Sequence, residues 1–462
     1  APRHRSPVAP QKTARLARRY SSPAKISKFK SNVNTIMKHY TRYSHPNFWV
    51  RAHLDSYHLY DYYNSWQWHV KKITGIFNQV SVWDFAGLSR PVKIALIDDS
   101  LEDHEDLPAG RIIPVFDFAQ NDTDPDPGEH PSNPRGHGMM CAGVMAASHT
   151  FDSIAGMDPA SGVISVNSSA LLMAVKIFAD TGGLWLTPES LFVRAVDTAW
   201  MRGANVLCCA WHTYDFDELS DAFIDAANHG CVSICSSGNT YKGPSDSVAF
   251  PARLSSCIAV GATDSNDVRW YYSNYDSTLD LVAPSGLADF LGDVWSIDQH
   301  GLPGFNPAYM TNCPPGSNDI GYACRFGGTS ASCALAAGVA SLVLSRDTSL
   351  SFEQVRQVLT GSAVALDSVV PSAERGYGRV DAFRAVLSIA HGDANNDALL
   401  DISDLVALVD YLWYNYQIFP SPLLGDCDCD GDVDVTDVEH YVEWLWQLGE
   451  DPPPPVKPCF QF

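Results

Sequence analysis

Three polar side chains in this sequence have the types and the chain order needed for hydrolysis through a covalent intermediate. Asp98 directly follows an apolar run, His137 stands between two glycines, and Ser330 opens a long apolar stretch. A serine hydroxyl becomes a nucleophile when a base takes its proton, and a carboxylate orients that base. Asn239, beyond a further apolar run, offers an amide that would hold an oxyanion together with the Ser330 backbone N–H. The four residues together predict acyl transfer.

Each of these residues also has an ordinary structural explanation when it is considered alone. A serine at a helix start is usually an N-cap, and an aspartate after a strand is usually a turn residue. A single histidine is usually a polar side chain with local hydrogen-bond partners. Their combination in one order is what favours the catalytic interpretation.

The elements that must position these residues alternate between short apolar runs and helical patterns. Runs rich in Val, Ile and Ala, with helical patterns at 191–202 and 221–229 between them, predict an α/β fold with a mainly parallel sheet. In such folds, functional groups gather where strands end and helices begin, which is where these four residues lie. The predicted strands are 92–97, 171–178, 205–211, 231–236 and 257–262.

With these residues in this order, the chain resembles the subtilisin-like serine proteases, whose chain order is also Asp, His, Ser. The resemblance covers about residues 61–390, from Gln67-Trp68-His69 to a Gly-Tyr-Gly sequence at 376–378. It implies a three-layer subtilisin-like α/β fold and a protein or peptide substrate. It also implies the roles of four residues: Ser330 as nucleophile, His137 as general base and acid, Asp98 as orienting carboxylate, and Asn239 as oxyanion donor.

Part of the sequence resembles the kexin and furin branch of that family. The shared features are the tandem acids Asp98-Asp99, the stretch Asp124-Pro125-Asp126-Pro127 before the histidine, and the stretch 330–338. This resemblance implies that Asp99 contacts the substrate and that basic residues are preferred near the cleaved bond.

The segment that lines the substrate cleft in the family has a different sequence here. The usual Ser-Trp-Gly is Ala210-Trp211-His212, and two further family residues are replaced by Met139 and Ala334. A glycine at the third position lets a substrate backbone lie against the strand, so His212 is expected to narrow the pocket or redirect the peptide. Ala210, Trp211 and His212 are therefore predicted substrate-binding residues. A catalytically inactive binding module with a protease fold is the alternative.

The cysteine content allows disulfides without indicating a disulfide-dominated scaffold. Among the twelve cysteines, Cys313 and Cys324 bracket a loop rich in Pro, Gly and Asn, and they are the favoured pair. Cys141 lies one helical turn after His137 and is expected on the same side of that helix. A small buried thiol is the favoured explanation for Cys141, and sensitivity to thiol reagents is the alternative.

Two Asp-rich loops lie 33 residues apart near the C-terminal end. Each places oxygen-bearing side chains at alternating positions of a twelve-residue loop, and Ca²⁺ takes roughly six to eight such oxygens. A solvated acidic turn explains one loop, but not two in the same register. The second loop has Gly431 at its turn, where the first has Ala398, so weaker binding is expected in the first. The predicted ligands are Asp393, Asn395, Asp397, the Leu399 carbonyl, Asp401 and Asp404, then Asp426, Asp428, Asp430, Asp432, Asp434 and Asp437.

The duplicated loop and helix pattern over 391–451 resembles a type I dockerin. Such domains bind cohesin domains, so the resemblance implies a cohesin on a scaffold or cell-surface protein as a partner. The usual contact positions hold Ile402-Ser403 and Val435-Thr436 instead of the common Ser-Thr pair. Helices are predicted at 405–413 and 438–446, with Val406, Val409, Trp413, Val442, Leu445 and Trp446 as the shared core.

Four aspartates of the peptidase part are further candidates for calcium. Asp106 resembles a family calcium ligand, and Asp117, Asp124 and Asp126 resemble a second site of the kexin type. Asp-Pro repeats are equally typical of turns, so an ordinary turn is the alternative.

Charge is unevenly distributed along the 462 residues. Residues 1–60 hold 12 Lys or Arg and one acid, a charge of +11, whereas the rest hold 19 bases and 52 acids, a charge of −33. An acidic body repels phosphate backbones, which argues against nucleic acid as a partner. The basic arm resembles the end of a subtilase propeptide at 45–48. It is expected to be a disordered tail, or a ligand of the chain's own cleft near Asp99, Asp215, Asp217 and Glu218.

The predicted organisation is a basic arm at 1–60, a peptidase domain at 61–390, a dockerin-like domain at 391–451 and a Pro-rich tail at 452–462. No stretch is expected to reach the roughly 18 apolar residues of a membrane span, and the longest candidate is 334–344. Residue 1 is not methionine and no apolar signal core follows it, so we expect a processed, secreted protein. The dockerin-like domain would attach it to a cell surface.

Overall fold

The computed structural model describes the chain in separate stretches. Some predicted features lie outside them: the basic arm, the Pro-rich tail, Asp126, Cys313 and the loop ligands Asp397, Leu399, Asp401, Asp428, Asp430 and Asp432. The described residues are 67–77, 80–84, 91–99, 101–108, 110–125, 136–149, 162–180, 185–240, 247–287, 294–300, 321–390, 393–395, 402–414, 425–427 and 433–446.

The described residues form two compact units. Those up to Ile389 form the first unit, and those from Ala390 onward form the second. The first unit is an α/β structure, and the second is built around two helices.

The described elements follow one another in an alternating order. In chain order they are α1 (Trp68–Thr74), β1 (Ile76–Phe77), β2 (Val80–Ser81), a 3₁₀ turn (Val82–Asp84), β3 (Lys93–Asp98), β4 (Ile112–Asp117), α2 (His137–Ala146), β5 (Leu171–Lys176), β6 (Ala179–Asp180), β7 (Trp185–Leu186), α3 (Glu189–Met201), β8 (Val206–Cys209), α4 (Asp217–Asn228), β9 (Val232–Ser236), β10 (Ile258–Thr263), β11 (Leu281–Pro284), β12 (Val294–Ile297), β13 (Tyr322–Phe326), α5 (Gly328–Arg346), α6 (Phe352–Gly361), α7 (Ala382–Ala390), α8 (Ile402–Tyr414) and α9 (Val435–Trp446).

A seven-stranded parallel sheet forms the centre of the first unit. Its strands lie in the spatial order β11-β10-β9-β8-β3-β5-β4, and every neighbouring pair is parallel. The inner strands are runs of Val, Ile, Leu and Ala that are buried on both faces, because helices cover both sides of a parallel sheet. The predicted α/β class with a mainly parallel sheet is therefore confirmed.

The helices form two layers, one on each face of the sheet. Ala95 and Ile97 of β3 pack in one core with Val196 of α3 and Phe223 of α4. Helices α2 and α5 pack against each other and against the sheet. Side chains alternate between the faces of a strand, so these two layers share the sheet as their common centre.

The five strands predicted from apolar runs are present, with ends that differ by at most two residues. The edge strand β4 was missed because Pro114 interrupts its apolar run. Proline is tolerated there because β4 pairs on one side only, and its register shifts between Pro114 and Phe116. The strand β11 at the opposite edge was also missed.

Helix α5 is longer than the sequence analysis predicted. It begins at Gly328 and runs 19 residues to Arg346, with a mean hydropathy of 1.5 over its most apolar window. By length and composition alone it would cross a membrane, so the expectation that no stretch approaches such a span was wrong. In this fold 94% of that window is buried inside the protein, which makes α5 the central core helix.

The second unit is built around α8 and α9, which pack against each other. Leu408 and Val409 of α8 and Val442 of α9 are buried, and the predicted core position Val406 is half-buried. The predicted core residue Trp413 is instead 55% exposed. Helix α8 begins three residues earlier than predicted, and its buried stripe is Leu405, Leu408 and Val409. The side chains of Leu445 and Trp446 lie outside the described atoms.

Candidate active site

Asp98 and His137 form a partly buried carboxylate–imidazole pair. Asp98 is the last residue of β3 and is 2% exposed, and His137 is the first residue of α2. The Nδ1 atom of His137 lies 2.9 Å and 3.0 Å from the two carboxylate oxygens. Burial alone would lower the pKa of His137, but the nearby Asp98 carboxylate outweighs it and raises that pKa well above the usual value.

Asp99 is bonded to the beginning of the same helix. Its carboxylate accepts the backbone N–H groups of Gly136, His137 and Gly138 at 3.3, 3.1 and 2.8 Å. These are N–H groups that a helix start leaves without a partner inside the helix. Both Asp99 oxygens therefore help to hold α2, and the predicted contact of Asp99 with substrate stays a prediction. Its part in holding α2 was not predicted, because it depends on the approach of α2 to the end of β3.

Ser330 is the third residue of α5, at the positive end of the helix dipole. Its hydroxyl is buried and donates to the carbonyl of Ala210 at 3.2 Å. Helix α5 packs against α2, which begins with His137, and against β3, which ends with Asp98. The fold therefore brings the elements that carry the three predicted catalytic residues into contact with one another.

Asn239 is oriented by the residue that precedes the serine. Its Oδ1 accepts the backbone N–H of Thr329 at 2.8 Å and the Thr329 hydroxyl at 2.9 Å. With Oδ1 occupied, the amide nitrogen Nδ2 is the end that can donate to a developing oxyanion. Gly328 has φ +70° and lies so close that an added Cβ would stand 3.1 Å from Nδ2, so a side chain there would disturb this donor. The role of Thr329 was not predicted.

The segment Ala210-Trp211-His212 follows β8 directly, and its three side chains have different surroundings. Ala210 is buried and uses its carbonyl for Ser330. Trp211 is also buried, and its indole N–H donates to the Ile97 carbonyl at 2.9 Å, so its side chain packs in the core. His212 is exposed, and partial loss of hydration lowers its pKa below the usual value.

Cys141 lies beside the candidate general base, on the side predicted from its spacing. Its sulfur is 3.9 Å from His137 Nδ1, and the side chain is fully buried. Burial raises the pKa of the Cys141 thiol, which keeps it protonated. Cys324 is disulfide-bonded, and its predicted partner Cys313 lies outside the described residues.

Three of the four aspartates proposed for calcium in the first unit lie among the described residues, and calcium binding by them stays a prediction. Lys176 lies 3.0 Å from Asp117 in a buried ion pair, and the other Asp117 oxygen accepts two backbone N–H groups. The Lys176 ammonium thus supplies a counter-charge for Asp117 in this structure, and calcium binding by Asp117 stays a prediction. Asp106 is buried and accepts the N–H of Val163 at 2.9 Å. Asp124 is exposed, and its backbone N–H donates to Asp122 at 2.9 Å.

The second unit concentrates buried carboxylates. The last residue of each Asp-rich loop is fully buried: Asp404 accepts the N–H of Asn395 at 3.1 Å, and Asp437 accepts the N–H groups of Cys427 and Asp434 at 2.6 and 2.7 Å. Residues 391–451 contain 15 acidic residues and neither Lys nor Arg. Buried like charges require a counter-charge. An all-oxygen donor set of this kind fits Ca²⁺. The buried loop acids are Asp393, Asp404, Asp426, Asp434 and Asp437.

An Asp–His pair at the end of a parallel strand, with a serine at the start of a central helix that packs against both elements, is typical of serine proteases built on an α/β core. The chain belongs to the subtilase family, whose model matches residues 89–379. It is 28% identical over 360 residues to a calcium-dependent protease of Trichormus variabilis, covering 69% of this chain and 50% of that protein. It is 32% identical over 227 residues to thermitase of Thermoactinomyces vulgaris, covering 48% of this chain and 71% of thermitase.

The solved structures agree at the level of the fold. A protease from Pseudoalteromonas arctica superimposes with a TM-score of 0.56 at 24% identity, covering 71% of this chain and 98% of that structure. This confirms the predicted subtilisin-like fold. The chain spans about half the length of the calcium-dependent proteases that it matches.

Proposed function

We propose that this protein is a serine endopeptidase that hydrolyses peptide bonds through an acyl-enzyme. The observation that carries the proposal is the contact of both Asp98 oxygens with Nδ1 of His137. This contact assigns the proton to Nδ1 and the lone pair to Nε2, so the imidazole is oriented to act as a base. Membership of the subtilase family and similarity to named proteases support the same activity.

The proposed reaction proceeds in two halves. The Ser330 hydroxyl leaves the Ala210 carbonyl, passes its proton to His137 and attacks the substrate carbonyl carbon. The Ser330 backbone N–H and the Asn239 amide bind the resulting oxyanion. His137 then gives its proton to the leaving amine, and the C–N bond breaks. In the second half, water donates a proton to His137 and attacks the ester, which restores the Ser330 hydroxyl and releases the acid.

The test is labelling by a fluorophosphonate, which reacts with an activated serine. The wild type should be labelled, and Ser330→Ala should not. Ser332→Ala is a matched control, because Ser332 lies on the same helix with its hydroxyl bonded to the Ala283 carbonyl at 2.8 Å, and this variant should keep the label. Equal labelling of wild type and Ser330→Ala would refute the assignment of the nucleophile.

A second candidate function is a binding module with a protease fold that does not cleave its ligand. The observation in its favour is the exposed His212 side chain at a position where the family has glycine. A folded wild type that shows no labelling, but still binds peptides, would support this alternative. Recovery of labelling in His212→Gly would then identify the side chain that blocks the cleft.

We also propose that the two Asp-rich loops bind Ca²⁺. The buried loop carboxylates, with 15 acids and no Lys or Arg in 391–451, are the support from the chain itself. Two relatives named calcium-dependent proteases add support from outside it. Asp404 and Asp437, at the ends of the loops, would be ligands, and bound calcium would supply the counter-charge that these acids need.

From the duplicated loop and helix pattern we propose that 391–451 is a dockerin-like domain with a cohesin domain as its partner. The solvent-facing partner contacts would come from Ser403 of α8 and Thr436 of α9. We further propose that the protein is secreted and attached to a surface through this interaction. Pull-down with cohesins in calcium, compared with a chelator, tests the partner.

A preference for basic residues near the cleaved bond is proposed from the resemblance to the kexin branch. The acids first considered for that preference have local partners in two cases: Asp99 holds α2, and Asp215 is ion-paired with Arg253. Asp217 and Glu218, in the first turn of α4, remain as the acids that would attract a basic chain. The N-terminal arm, with its charge of +11, is the proposed internal ligand. An arm left intact when active enzyme is mixed with the Ser330→Ala chain would rule out its processing by the enzyme.

A further inference from the structure

Two histidines and two glutamates form a cluster away from the candidate catalytic residues. His104, Glu105 and Glu102 lie on the loop after β3, and His300 lies just after β12. The Nε2 atom of His300 is 2.9 Å from Oε2 of Glu105, and Nδ1 of His104 is 3.6 Å from the same oxygen. All three atoms fall within 4.8 Å of one another. The cluster therefore presents two imidazole nitrogens and one carboxylate oxygen around one point.

Two of the three separations are close to the edges of a tetrahedral zinc site. The rings of His104 and His300 are stacked at 27° between their planes, so they must turn for both nitrogens to face one ion. Zinc lies about 2.0–2.2 Å from nitrogen and oxygen ligands, so tetrahedral ligand atoms stand roughly 3.3–3.5 Å apart. The observed 2.9 and 3.6 Å lie on either side of that range. The exposed fractions of Glu105 and His300, 41% and 48%, leave an approach from solvent for the ion.

The second nitrogen of each histidine already has the partner that metal-binding histidines require. Nε2 of His104 lies 2.9 Å from the carbonyl of Gly321 and must donate to it, which leaves the lone pair on Nδ1. Nδ1 of His300 lies 3.2 Å from Oε1 of Glu102, which leaves Nε2 directed at Glu105. Metal-ligating histidines donate their other N–H to a carbonyl or carboxylate in this way, which fixes the tautomer and the ring orientation.

We propose that His104, Glu105 and His300 bind a Zn²⁺ ion, with water as the fourth ligand. Two imidazole nitrogens select zinc over calcium, which takes oxygen ligands, so this site is chemically distinct from the Asp-rich loops. The backbone N–H of Asp106 donates to Nδ1 of His104 at 3.1 Å, and the ion has to displace that contact. We therefore expect weaker binding than at structural zinc sites with four protein ligands.

Bound zinc would join two segments that flank the helix of His137. The loop that carries His104 and Glu105 continues from Asp98-Asp99 along the chain. The residues before His300 lie beside Gly136, where an added Cβ would stand 3.1 Å from the Gln299 side chain. Zinc is therefore expected to raise the thermal midpoint of the first unit as well as to bind.

The experiment is a calorimetric titration of the full Ser330→Ala chain with Zn²⁺ in excess Ca²⁺, so that the Asp-rich loops are saturated and no proteolysis occurs. One zinc per chain should bind, and binding should be lost in His300→Ala and Glu105→Gln. Glu102→Gln, which removes only the partner of His300, should lower the affinity about 10–100-fold. Co²⁺ in place of zinc should give the visible absorption of a four-coordinate ion in the parent chain. This absorption should be absent in His300→Ala and Glu105→Gln.

His229→Ala is the matched control. His229 is also an exposed histidine stacked on another ring, that of Trp200, and its Nδ1 lies 2.7 Å from a backbone carbonyl. This variant should bind zinc like the parent chain. Failure of the parent to bind zinc, or equal binding by folded His300→Ala, would overturn the proposal. Because the chain used is catalytically silent, either result is independent of the proposed peptidase activity.

Discussion

At the scale of single residues, two adjacent aspartates hold one histidine in two ways. Asp98 contacts the imidazole through Nδ1, while Asp99 accepts the backbone N–H of His137 and of the glycine on each side of it. The side chain and the main chain of the candidate base are thus fixed by neighbouring positions of one strand end. Catalytic groups must be held to within a fraction of an ångström, so both contacts bear on the rate.

We expect Asp99→Ala to slow the reaction by about 10–100-fold. Three backbone N–H groups at the start of α2 lose their acceptor, so His137 shifts. The loss should fall on kcat while KM changes little, since both Asp99 oxygens are bonded to the start of α2 in this arrangement. Asp99→Asn, which keeps one acceptor, should recover part of the rate. Steady-state kinetics measures this, with the exposed Asp103→Ala as control. An increase in KM alone would instead support the predicted substrate contact.

The pH dependence of kcat/KM should report the raised pKa of His137. The base must be neutral, so activity should rise with pH through a value above the ordinary 6.5. In Asp98→Asn the attraction is gone and burial lowers the pKa, so the rising limb should move to lower pH. The maximal rate should fall by about 10⁴-fold, the size known for the same exchange in an unrelated serine protease. A limb that does not move would show that Asp98 does not set this pKa.

The same pair has a consequence for stability. The pKa of His137 is higher in the folded chain than in the unfolded chain, so its stabilising contribution is fully present below about 6.5. That contribution is lost as pH rises through the raised folded value. The fold is therefore less stable when His137 is neutral, which is the form needed for catalysis, than when it is protonated.

Residue types and order were enough to predict the candidate reacting groups, but not the long-range contacts that hold the surrounding residues in place. Asp98, His137, Ser330 and Asn239 each follow a strand or open a helix, which the sequence pattern reveals. The ion pair between Asp117 and Lys176 joins residues 59 positions apart in the sequence, and no local pattern indicates such a contact. Contacts of this kind depend on the strand order of the sheet, which apolar runs alone do not specify.

At the scale of elements, helix α2 is held against strand β12 by a close approach. An added Cβ at Gly143 would stand 2.2 Å from Oγ of Ser296 and 2.6 Å from the backbone nitrogen of Ile297. The Ser296 hydroxyl also donates to the carbonyl of Met140 at 2.6 Å. Because one of the crowded atoms belongs to the backbone, no side-chain rotation relieves the contact.

Gly143→Ala should therefore destabilise the first unit by about 1–3 kcal/mol, the usual cost of overpacking. The shift of α2 should also lower kcat, because His137 is its first residue. Denaturant midpoints and kinetics measure the two effects. An unchanged midpoint would show that α2 and β12 separate without cost.

Elements with a continuous apolar run were the ones predicted well. Strands β3, β5 and β8 lie inside the sheet, and burial on both faces leaves little choice of residue type. Strand β4 includes a proline, and the β12–β13 hairpin lies outside the main sheet. Such peripheral elements depend on the larger fold for their partners, so their sequences carry a weaker signal.

At the scale of the whole molecule, the charge of −22 is concentrated where metal binding is proposed. Each calcium bound would neutralise two charges and reduce repulsion between the loop acids. We expect a chelator to lower the thermal midpoint of the second unit. Ligand binding to the folded state alone contributes about 2.7 kcal/mol at a free concentration 100 times Kd.

Calcium titration of Asp404→Asn and Asp437→Asn should locate the two sites, each variant losing one ion. The loop that ends at Asp404 should bind more weakly, because it has Ala398 where the other has Gly431. Asp410→Asn, an acid on α8 beyond the loop, is the control and should bind two ions. Two ions retained by both loop variants would contradict the assignment.

Among its described residues, the first unit has seven buried, free cysteines: Cys141, Cys208, Cys209, Cys231, Cys235, Cys257 and Cys333. A membrane-permeant or small alkylating reagent reaches them only during transient opening of the sheet or of the helices that cover it. Their modification rates therefore give the free energies of local and global opening, as hydrogen exchange does for backbone amides. The native chain thus contains its own set of site-specific reporters, distributed over β8, β9, α2 and α5, and no label needs to be engineered into it.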